Sequence, residues 1–139
     1  MTLERDRLII VGCVATKRVG DQRWPAADLY TSPLFRYRRA YAEHVIQQPD
    51  GPFLQKWFIL SAKHGLVSPS TVIEPHDETL NRMAAAARRI WAEGVMSDLT
   101  QRLRPGDEVL ILAGQRYLKQ SDVDLREAHK RTGSADTLL

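Results

Sequence analysis

Three polar runs in this chain carry side chains suited to an anionic or ring-shaped ligand. They are Cys13 with Lys17, Ser61 with Lys63 and His64, and Gln115 with Arg116 and Tyr117. Each comes just after an apolar run, and each supplies a cation that suits a phosphate. Gly12, Gly65 and Gly114 stand beside these groups, and glycine allows a sharp turn or a close approach of backbone to ligand. Cys13 reads in two ways. It is an inert buried thiol, or it is a nucleophile whose pKa a neighbour such as Lys17 lowers. His64 follows Lys63 directly after an apolar strand, a place that favours a role in a site.

The segment VIEPHDETL, residues 72–80, adds the carboxylates Glu74, Asp77 and Glu78. Asp77 and Glu78 also suit the start of a helix, where negative charge complements the dipole. Glu74, held before Pro75, has no such structural explanation. Four histidines and one cysteine show no zinc spacing, so no structural metal is expected, while a magnesium site needs only one or two carboxylates and stays open. There is no phosphate-binding Walker loop, no GxGxxG, no HExxH and no GxSxG. No cofactor is therefore expected.

These groups need elements to position them. Leu8–Val14, Trp57–Leu60 and Val109–Ala113 are short, nearly continuous apolar runs, the pattern of strands covered on both faces. A helix is predicted from Ser32-Pro33 to about residue 48, with Ser32 as N-cap and Leu34, Tyr37, Tyr41 and Val45 as its apolar stripe. A second is predicted over about 80–103, with Met83, Ala87, Ile90, Trp91, Val95, Leu99 and Leu103 buried. A third is predicted over Val123 to Lys130. Ile10, Tyr41, Ile59, Ile90, Trp91 and Leu110 should lie in the core. Alternating strands and helices predict an α/β fold: three layers, a mostly parallel central sheet flanked by helices. Parallel strands put their carboxyl ends on one edge, where open sheets bind ligands. The three polar runs should meet there.

The chain has 139 residues, 43% of them hydrophobic and 27% charged. That fits a single domain, 1–139, with an ordinary core. One cysteine excludes an intramolecular disulfide, in keeping with a reducing compartment. The first apolar run is too short to span a membrane, and no cleavage site follows it. A cytoplasmic protein without a membrane partner is expected. The net charge of +3 permits a phosphate-bearing partner without requiring one.

Four ordered blocks resemble a bacterial and phage domain family distantly similar to the YaaA peroxide-stress proteins. They are Cys13 with Lys17; AADLYTSPLF from Ala26 to Phe35; ILSAKHGLVSP from Ile59 to Pro69 with IEPHDETL from Ile73 to Leu80; and LAGQRY from Leu112 to Tyr117. His64 and His76 stand where many relatives have an aromatic residue, and YaaA proteins are much longer. The resemblance implies a role in DNA or nucleobase metabolism. Two expectations follow. In the first, the chain is a glycosylase-like enzyme acting on an N-glycosidic bond. Glu74 or Asp77 would steady the sugar cation or position water, Lys63 and His64 would serve the base or a phosphate, and Tyr30 or Tyr117 would stack on the ring. In the second, it is a non-catalytic module for DNA or a nucleotide. Lys17, Lys63 and Arg116 would contact phosphates, helped by the amides that follow Ser32 and by Arg36, Arg38 and Arg39.

Overall fold

A strand that is apolar on both sides is stable only between two covering layers. A computed structural model of the chain, which describes residues 5–12, 20–76, 83–113 and 136–138, provides them. In chain order the elements are β1 (Arg5–Gly12), β2 (Trp24–Pro25), α1 (Ala26–Leu29), α2 (Pro33–Ile46), β3 (Phe53–Ser61), β4 (Gly65–Val67), β5 (Val72–Ile73), α3 (Ala85–Arg102), β6 (Glu108–Leu112) and β7 (Asp136–Leu138). The main sheet runs β4-β3-β1-β6-β7, and β2 and β5 form a separate two-stranded ribbon. Within the main sheet β1 is parallel to β3 and β6, β6 is parallel to β7, and β4 is antiparallel to β3. This is a three-layer α/β fold with a mostly parallel sheet.

The pleat divides the core in two. On one face Ile9 and Val11 of β1 join Trp57 and Ile59 of β3 beneath Phe35 and Ala42 of α2. On the other, Leu8 and Ile10 join Phe58 and Leu60 beneath Trp91, Val95 and Leu99 of α3. The two crossovers thus pass over opposite faces. The first moves outward from β1 to β3, and the second returns past β1 to β6. The winding reverses between β1 and β6, the place where such sheets open a crevice. A Cβ on Gly12 would lie 2.8 Å from that of Ala113, so the two carboxyl ends meet there too closely for a larger residue.

The predicted strands are present with shifted bounds. β1 begins at Arg5 and β3 at Phe53, and Ala113 falls just past β6. The helix predicted over 80–103 begins at Ala85, and the one predicted to end near 48 ends at Ile46. The helix predicted over 123–130 lies outside the described residues.

The buried face of α2 is rotated by one residue from the prediction, whereas in α3 Trp91, Val95 and Leu99 are buried as predicted and only Ala87 and Ile90 of the predicted face are exposed. Tyr41 is 43% exposed and Ile90 is 70% exposed. In α2 the buried residues are Phe35 and Ala42. Phe35 packs on Tyr30 with ring centroids 5.4 Å apart, and Arg39 reaches back to the Ala27 carbonyl and Asp28. Those contacts rotate the Leu34–Tyr37–Tyr41 stripe outward. In α3, Trp91 Nε1 donates to the Ser61 carbonyl at 2.8 Å. That bond turns Trp91 inward and carries Ile90 to solvent. Ile10, Ile59 and Trp91 are buried, and Leu110 is half-buried.

Candidate functional site

Ser61 ends β3 at the carboxyl edge of the sheet and is fully buried. The chain then reverses through residues 62–64 into β4, pairing Ser61 with Gly65. Gly65 has φ +71°, a left-handed conformation that glycine adopts without a Cβ penalty and that closes hairpin loops of this length. The Ser61 hydroxyl oxygen accepts the amides of Lys63 at 3.3 Å and His64 at 3.2 Å. The serine thereby shapes the turn, and the side chains of Lys63 and His64 sit on its exposed tip.

Beneath the tip lies a buried polar cluster. Tyr30, which follows α1, is 2% exposed, and His76, which follows β5, is 7% exposed. Tyr30 Oη donates to Ser61 Oγ at 3.1 Å and lies 2.9 Å from His76 Nε2. The Tyr30 hydroxyl and His76 Nε2 share a hydrogen bond whose donor is set by the imidazole tautomer. The His64 ring meets the His76 ring edge-on, with centroids 5.7 Å apart at 86°. A continuous line of polar groups therefore runs from buried Ser61 through Tyr30 and His76 to solvent-facing His64.

Ser32 is buried, and its hydroxyl accepts the Phe35 amide at 3.0 Å as the N-cap of α2. The cap starts α2 two residues after Tyr30. Lys63 has no ion pair among the described residues. Glu74 is exposed, and its Oε1 accepts from Arg23 Nη2 at 2.8 Å and from Nε at 3.1 Å. Among the described residues its partner is that arginine, not the cluster. The structure thus brings together Tyr30, Ser61, Lys63 and His64, places Ser32 at the adjoining cap, and holds Glu74 at the surface. Cys13, Lys17, Asp77, Gln115, Arg116 and Tyr117 lie outside the described residues.

Two members of the site were not selected from sequence. His76 sits inside IEPHDETL, where the flanking carboxylates drew the chemical interest. Its spacing to Tyr30 and Ser61 carries no local signal. Trp91 was read as core alone, yet its indole N–H anchors the Ser61 carbonyl. Among the described residues no group of three histidine, cysteine or acidic side chains is placed to hold a metal ion. Among them, too, no helix is long and apolar enough to cross a membrane.

No curated protein and no solved structure matches the chain. One family model, described as a family of unknown function, DUF6884, matches residues 8–134. That match takes in every described strand and helix except β7 and the first three residues of β1, and it includes the whole Tyr30–Ser61–His76 cluster, so the chain belongs to the DUF6884 family of unknown function.

Proposed function

We propose that this domain binds a nucleotide or nucleobase, free or within a nucleic acid, at the carboxyl edge of its sheet, and hydrolyses the N-glycosidic bond there. The observation that supports the reading is the hydrogen-bonded line from Ser61 through Tyr30 to His76, with His64 edge-on to it and Lys63 beside it. A buried, fixed support under two solvent-facing basic groups is how a site holds an acid–base residue in one orientation. In this reading water adds to the sugar carbon and gives up a proton to a carboxylate, while the carbon–nitrogen bond breaks and its electron pair leaves with the base. His64 supplies the proton that the departing base takes up, and Lys63 steadies its negative charge or a neighbouring phosphate. Asp77 is the favoured carboxylate, because Arg23 already engages Glu74. The resemblance of the Ala26–Phe35 and Ile59–Leu80 blocks to YaaA-like chains favours the same substrate class.

The second reading, a non-catalytic nucleotide or DNA module, draws support from Lys63, which is exposed and has no ion pair among the described residues. One experiment separates the two. The protein is incubated with nucleosides, nucleotides and base-modified DNA, and free base is measured by chromatography. Release of base that His64→Ala abolishes supports the hydrolase. Salt-sensitive binding without release supports the module. Neither release nor binding overturns both.

A further inference from the structure

The outer face of α2 carries a second, independent set of features. Tyr37 is 77% exposed, and Leu34 and Tyr41 are 49% and 43% exposed. At 100° per residue these three lie within about 60° of arc, with Arg38 about 40° beyond Leu34 on one margin and Arg36 about 100° beyond Tyr37 on the other side. Arg39 is tied to Asp28 and Glu43. Arg36 and Arg38 have no ion-pair partner among the described residues, and burial pushes the Arg38 guanidinium below its ordinary value. Bare tyrosine rings beside a cation with no ion pair among the described residues suit a partner with flat rings and negative charge.

The ridge is also continuous with a cleft. Tyr41 and Val45 line an opening of about 220 Å³ together with Arg7, Glu108, Val109 and Leu110. Those strand residues belong to the amino ends of β1 and β6, opposite the Tyr30–Ser61–His76 cluster. α2 has 14 residues, so it spans about 21 Å. It starts beside Tyr30 and ends at the cleft, bridging the two edges of the sheet.

We infer that single-stranded nucleic acid lies along the outer face of α2, with bases on Tyr37 and Tyr41 and phosphate on Arg38, and that this track leads the strand to the carboxyl-edge site. The leading of the strand to the site rests on the proposed function; the binding does not. An unpaired base can lay its face on an exposed tyrosine, whereas a duplex keeps its base faces covered. The cleft beside Tyr41 offers a seat for one base at the far end of the track. A second copy of the chain is a poorer occupant, because a two-fold contact through this ridge would bring Arg38 of both copies together.

The test is fluorescence anisotropy with a labelled deoxythymidine oligonucleotide of roughly 12 nucleotides, repeated with a duplex of the same length. The single strand should bind more tightly, and binding should weaken as salt rises. Tyr37→Ala should weaken it about tenfold, the loss expected for one stacked base, and Tyr37→Phe, which keeps the ring, should bind like the parent. Arg38→Ala should weaken binding and flatten its salt dependence by about the share of one phosphate. No oligonucleotide binding, or binding unchanged by both Tyr37→Ala and Tyr41→Ala, overturns the inference. So does self-association in sedimentation that Tyr37→Ala removes. Base release from free nucleosides is measured separately on the parent protein, so a failed track and a failed site give different results.

Discussion

The Tyr30 hydroxyl lies 2.9 Å from Nε2 of His76, joining two buried side chains 46 residues apart in the chain. The same oxygen reaches Ser61 Oγ at 3.1 Å, so three separate segments meet on one phenol. Tyr30→Phe keeps the ring against Phe35 and removes only that oxygen. Ser61 and His76 then each lose a buried partner. The expected cost is about 1–3 kcal/mol, the penalty of leaving buried polar groups short of hydrogen bonds. Urea denaturation measures it directly. A change within experimental error would show that the phenol oxygen does not hold the cluster together.

The two neighbours on α3 should behave oppositely. Trp91 is buried and its indole N–H is hydrogen-bonded to Ser61, while Ile90 is mostly in solvent. Trp91→Ala should therefore destabilise by about 3–5 kcal/mol. Ile90→Ala should stay within roughly 0.5 kcal/mol. Thermal unfolding of both variants checks the rotation of α3, and equal losses would contradict it.

That contrast also shows what the sequence carries and what it hides. Continuous apolar runs mark β1, β3 and β6 because both faces of each strand are buried, which makes burial visible residue by residue. Helix rotation is less visible. Leu34, Tyr37 and Tyr41 make a better apolar stripe than Phe35 and Ala42. The real face is selected by Phe35 packing on Tyr30 and by a small alanine that lets the helix come close to the sheet. Lys63 and His64 were legible because a strand-end position is a local feature. His76 was not, because only the fold brings it to Tyr30.

At the opposite edge of the sheet, Asp107 performs a structural task. It is 1% exposed, and its carboxylate accepts the Asp6 amide and the Arg104 amide, each at 2.8 Å. These bonds tie the entry of β6 to the start of β1. Asp107→Ala removes a charged acceptor from two amides at once and should cost on the order of 3 kcal/mol. Amide hydrogen exchange at Asp6 should accelerate with it. Unchanged protection there would mean the clasp is not needed to dock the two strands.

Lys63 separates function from stability most cleanly. It rides on a turn whose amide is fixed by the buried Ser61 hydroxyl, so its origin is rigid even though its ammonium is in solvent. It has no ion pair among the described residues, so its removal strands no partner. Lys63→Ala should leave the unfolding midpoint where it was, as expected for an exposed side chain with no ion pair among the described residues. If the domain binds a nucleotide as proposed, the same change should weaken that binding at least tenfold, because Lys63 is the exposed cation on the turn above the buried cluster. Lys63→Arg should recover part of the affinity, since the charge returns with a different reach and shape. Ser61→Ala provides the complementary measurement. It leaves the lysine in place but frees the turn, and should weaken binding while also lowering the melting temperature. Calorimetric titration with a nucleoside monophosphate reads all three variants on one scale. Undiminished binding by Lys63→Ala would remove this turn from the site, whatever the fate of the buried cluster beneath it.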